Sequence, residues 1–128
     1  MTIYDYFSKF ESYSLEKLKE IDINSYTYKG QNMLFFAIRY SQDKDFASRV
    51  IKAGINIHYS DKNNQSIVCH LAKSQYLFEH FKLLYENGAE IKNLNLPYKH
   101  TARVNVLENL AIFYKLKNKK DEEELVKT

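Results

Sequence analysis

Val50-Ile51-Lys52-Ala53-Gly54-Ile55-Asn56-Ile57 and Leu84-Tyr85-Glu86-Asn87-Gly88-Ala89-Glu90-Ile91 follow one pattern 34 positions apart, sharing the glycine and the closing isoleucine. Gly54 pairs with Gly88 and Ile57 with Ile91, while Ile21 and Ile23 stand at that offset before Ile55 and Ile57. Internal similarity at a fixed period of 20–50 residues is the mark of stacked supersecondary units.

Working outward, Gln31 matches Gln65, Leu34 matches Val68 and Ala37 matches Leu71 at the same spacing. Asn32 and Ser66 can cap helices, because their side chains accept from the orphan amides of a first turn. A short helix is expected over residues 33–40 and again over 67–73. A second helix is expected over 45–53, with Phe46, Val50 and Ile51 inward, and over 77–87, with Phe78, Phe81, Leu84 and Tyr85 at helical spacing. Gly54 and Gly88 then end these helices, since glycine takes the left-handed conformation without the clash a Cβ brings. The link from Ile55 to Asn64 is polar, with Asp61, Lys62, Asn63 and Asn64 as turn formers.

On these residues the chain resembles the ankyrin repeat family. Leu83-Leu84-Tyr85-Glu86-Asn87-Gly88-Ala89-Glu90-Ile91 follows the family's second-helix ending closely, and Val50-Ile51-Lys52-Ala53-Gly54-Ile55-Asn56-Ile57 nearly as well. Asn32-Met33-Leu34-Phe35 and Ser66-Ile67-Val68-Cys69 stand where Thr-Pro-Leu-His is usual in that family. The resemblance implies an all-α fold: a short ankyrin-type α-solenoid of helix-turn-helix repeats with extended turn links. Residues 24–57 and 58–91 would be the two repeats. Residues 1–23 would be an N-terminal capping half-repeat, with Thr2 and Asp5 at capping-box spacing. Residues 92–128 would form a C-terminal cap, with a long helix over 99–117 and a short one from Asp121. Atypical ends are expected where a stack must cover its apolar faces.

Composition narrows the function. Of 128 residues three are Gly and one is Pro, too few for a turn-rich sandwich or barrel. A net charge of +3 is small for a nucleic-acid binder, which concentrates a basic face. One cysteine, Cys69, precludes an internal disulfide and fits a reducing compartment. The first residues lack the basic and apolar regions of a signal peptide, and no run approaches the roughly 18 apolar residues of a membrane span. The chain therefore reads as cytoplasmic. His58, His70, His80, His100 and Cys69 have no metal-ligand spacing, and the isolated glycines make no phosphate loop. No enzyme, metal or cofactor is expected.

What remains is a binding face. The resemblance implies that it comprises the turn tips and the exposed ends of the first helices. The first tip offers Tyr26, Tyr28, Lys29 and Gln31; the second offers Tyr59, Ser60, Lys62, Asn63 and Gln65. Arg39 and Tyr40, then Lys73 and Ser74, come from the helix ends, and Tyr98 from a third link. Tyrosines and an arginine among adaptable polar groups are the mixture of a protein interface. The four cations favour a partner with an acidic surface. The expected function is a monomeric, non-catalytic module that masks or inhibits a partner protein, such as an immunity protein neutralising a bacterial toxin. A scaffold or effector recruiting a host protein is the alternative within that class. A weak single-stranded nucleic-acid binder, stacking bases on Tyr, is the alternative from another class, although nucleic acid is the less favoured partner.

Overall fold

The computed structural model describes residues 1–90 together with Ala111, Ile112 and Lys115. The N-terminal segment contributes α1 (Ile3–Phe7), a 3-10 turn (Ser8–Ser12) and α2 (Leu15–Glu20). The capping box is formed: Thr2 Oγ1 accepts from the Asp5 N–H and the Asp5 carboxylate accepts from the Thr2 N–H. α3 (Met33–Arg39) and α4 (Phe46–Lys52) follow, then α5 (Ile67–His70) running into a 3-10 turn (Leu71–Lys73), then α6 (Leu77–Glu86). Residues 67–73, expected as one helix, are thus split. The Asn32 side chain caps α3 through the Leu34 N–H, whereas the Ser66 side chain makes no capping bond and lies near Cys69 Sγ instead.

One expectation is overturned. Thr27–Tyr28 (β1) pairs antiparallel with Gln31–Asn32 (β2), so the architecture is mixed and not an all-α solenoid. The cause lies in the turn between them. Lys29 and Gly30 both hold positive φ, 49° and 78°, the combination that a two-residue hairpin turn requires to match strand twist. The next link closes differently: the Asp61 N–H donates to the Gln65 carbonyl around a longer loop, with Asn64 at φ 58°.

The helices lie in two rows. α3 packs between α1 and α5, and α4 packs against both α3 and α2. Every residue of α3 from Met33 to Ile38 is buried, which makes it the spine of the core. Both Gly54 and Gly88 close their helices with paired bonds. The Gly54 N–H reaches the Ile51 carbonyl and the Ile55 N–H the Val50 carbonyl; Gly88 with Tyr85 and Ala89 with Leu84 repeat this. Their φ values, 97° and 87°, are those of this helix stop.

Loops one period apart also touch. Gln75 Nε2 donates to the Ser41 carbonyl, and the Tyr76 hydroxyl to the Gln42 carbonyl. Asn24 ties the links together, accepting from the Asn56 N–H and donating to the Gly54 carbonyl. Ile23 is buried and Ile57 half-buried against the core, while Ile91, Tyr98 and the proposed cap 92–128 with its helices lie outside the described residues, those three positions apart.

Candidate functional site

The two tips meet. A Cβ placed on Gly30 would stand 3.3 Å from the Lys62 backbone nitrogen, so the β1–β2 turn can approach the next link this closely because it carries glycine there. Lys62 and Lys29, the neighbour of Gly30, are both exposed at this junction. Ser60 and Asn63 are exposed on the same link, and the Asn63 N–H is held by Asp61 Oδ1.

The tyrosines of the tips are less free than their positions imply. Tyr28 is half-buried, stacked on Tyr6 with centroids 5.3 Å apart, and its hydroxyl donates to the Met1 carbonyl. Tyr26 sets its edge against Phe10, Tyr59 packs against Phe35, and Tyr40 is half-buried beneath Arg39. Gln31 is half-buried in β2. Two residues expected on the face are interior. Gln65 is buried, its N–H held by Asp61 Oδ1, and Ser74 is buried with Oγ 2.6 Å from His80 Nδ1. Each is taken up in closing its own loop.

At the ends of the first helices lies a cluster that the sequence did not single out. His70 Nε2 donates to Asp61 Oδ2 at 2.9 Å, joining the second tip to the end of α5. Both side chains are buried. The ring of His70 sits edgewise against Phe35. Burial pushes the His70 imidazole below its usual pKa; Asp61 opposes this, while the charges of Arg39 and Lys73 reinforce it. His70 Nδ1 and Arg39 Nε are both buried and have no hydrogen-bond partner among the described residues. Lys73 is exposed beside them.

Ser74 and His80 have the proximity of a nucleophile and its base, but the geometry argues for a loop clasp. Ser74 Oγ also accepts the Tyr76 N–H, and no carboxylate orients His80, whose Nε2 is unpartnered among the described residues. Burial, opposed by Glu79, lowers the His80 pKa. Among the described residues no three His, Cys, Asp or Glu side chains converge as metal ligands, and no helix is long and apolar enough to cross a membrane. An open groove of about 400 Å³ runs along α6, lined by Phe78, Glu79, Lys82, Leu83 and Glu86. Comparison of the chain with protein-family models, curated proteins and solved structures found no match.

Proposed function

We propose that the chain is a non-catalytic protein-binding module of ankyrin-like design that masks or inhibits a partner with an acidic surface. An immunity-type inhibitor seated on a toxin is the form we favour. The observation that carries the reading is the abutment of the Lys29 and Lys62 tips, with Asp61–His70 joining that tip to a helix end where Arg39 and Lys73 lie. Four cations are carried on these joined elements, and complementary charge steers association and fixes register. The family resemblance is supported by two helix stops of identical bonding and by loop contacts one period apart. We place its action in a reducing cytoplasm, where the buried Cys69 thiol stays reduced, and as a monomer.

The test begins with affinity capture by the full chain from its native source, with mass spectrometry of what co-elutes. Binding of the captured protein is then measured for the Lys29→Glu, Lys62→Glu double variant. The expected loss is about tenfold, with the helical circular dichroism unchanged. Undiminished binding by the folded double variant overturns the reading. Capture that nuclease treatment abolishes points to single-stranded nucleic acid instead.

A further inference from the structure

Asparagine precedes glycine once in the chain, at Asn87-Gly88, and this pair forms the stop of α6. Both residues are exposed. The backbone nitrogen that follows an asparagine can attack the side-chain Cγ, and glycine, with no Cβ, hinders the approach least. In the folded chain three features oppose that attack. Asn87 has ψ 16°, which nearly eclipses the Gly88 nitrogen with Asn87's own nitrogen and turns it away from the side chain. The Gly88 N–H donates to the Tyr85 carbonyl at 3.2 Å. Asn87 Nδ2, the group that must leave, donates to the Leu83 carbonyl at 2.8 Å. All three belong to the helix stop. The same stop closes α4 with Ala53 in the asparagine's place, so the fold does not require an asparagine there.

We propose that Asn87 is a site of spontaneous deamidation, gated by the terminal turn of α6, and that its product keeps this turn open. The inference does not rest on the masking function above. Once the turn opens, the Gly88 nitrogen gives its proton to solvent and bonds to Asn87 Cγ. The Cγ–Nδ2 bond breaks, and Nδ2 takes up a proton and leaves as ammonia. Water then opens the five-membered imide at either carbonyl, leaving aspartate or its isomer linked through the side chain; no oxidant or reductant takes part. Neither product restores the stop. The donor to the Leu83 carbonyl has become an oxygen, which repels it. A carboxylate has also arrived at the negative end of the helix, between the exposed Glu86 and Glu90. The isomer further lengthens the backbone by one carbon, which takes Gly88 and Ala89 out of register with the Tyr85 and Leu84 carbonyls.

In the test the full chain is kept in mildly alkaline buffer, with and without guanidinium chloride, and peptide mapping by mass spectrometry follows each asparagine with time. In guanidinium, Asn87 is expected to react ahead of every other asparagine. In the folded chain its rate should fall more than about tenfold, because reaction waits for local opening. Amide exchange reads the consequence: Asn87→Asp should exchange about threefold faster than Asn87→Ala across residues 84–89, with residues 3–52 alike in both. Should either variant fail to fold, the deamidated chain, separated by ion exchange, is compared with the unmodified chain in the same measurement. The proposal is overturned if another asparagine reacts first in guanidinium or if folding leaves the Asn87 rate unchanged. Equal exchange at the end of α6 with and without the new carboxylate would overturn it as well.

Discussion

Lys29 holds φ 49° at an exposed tip, a conformation that crowds its Cβ against its own backbone. Asparagine tolerates that region, and Asn-Gly is the favoured pair in such turns. Lys29→Asn should therefore stabilise the fold by roughly 1 kcal/mol in urea titrations while weakening partner binding. A strained residue retained at a tip is the pattern of a site where function outweighs stability. Gly54 and Gly88 are the converse. Nothing crowds a Cβ at either, so the backbone alone sets the cost, and Gly54→Ala or Gly88→Ala should each destabilise by about 1–2 kcal/mol. Histidines supply a pH dependence. An unfolded chain protonates them near the ordinary value of about 6.5, whereas burial lowers the pKa of His70 and His80 when folded. Stability is full above that pH and falls below it, so the urea midpoint should be lower at about pH 5.5 than at about pH 7.5. Replacing His80 with Gln should flatten the slope. The two glycines were legible in the sequence because their period was visible. Lys29 was not, since a left-handed lysine has no compositional signature, and neither was Asp61–His70, whose nine-residue separation crosses a turn and a helix.

Among the elements, the second helices were the most readable. Their apolar spacing and glycine stops placed α4 and α6 within a residue or so of their observed bounds, Phe46–Lys52 and Leu77–Glu86. The hairpin escaped because two-residue strands hold no alternation to detect; only the pairing of Lys29 and Gly30 at positive φ reveals it. The tyrosines were misplaced for a related reason: an amphipathic ring in a link reads as exposed, yet Tyr26, Tyr28, Tyr40 and Tyr59 all rest on the core. One residue fastens the N-terminal segment to the rest. Arg49 on α4 donates to the Tyr13 and Glu11 carbonyls and pairs with Asp43. Burial works against the Asp43 charge, but bonds from the Asp45 amide and Arg49 prevail and hold its pKa down. Arg49→Ala should cost about 2 kcal/mol in urea and raise amide exchange across residues 3–20, more than elsewhere.

At the scale of the molecule, one core cluster runs from Phe7 to Ala89, drawing on all six helices among the described residues. Phe36 lies near its centre, fully buried and in ring contact with Tyr4, Phe7 and Phe46. Phe36→Ala should cost about 4 kcal/mol, a large part of the 5–15 kcal/mol typical of a whole domain. Thermal and chemical unfolding of this variant should remain single transitions with much reduced midpoints. The buried side of the molecule was legible because apolar residues recur with the period. Since Met33 to Ile38 of α3 present no face to water, neither the segment before them nor the segment after has a surface it can live with alone. A protease cut at the exposed Lys44–Asp45 bond would then leave two pieces that stay noncovalently locked, and the same point would serve to divide the chain into a pair of fragments that report on their own reunion.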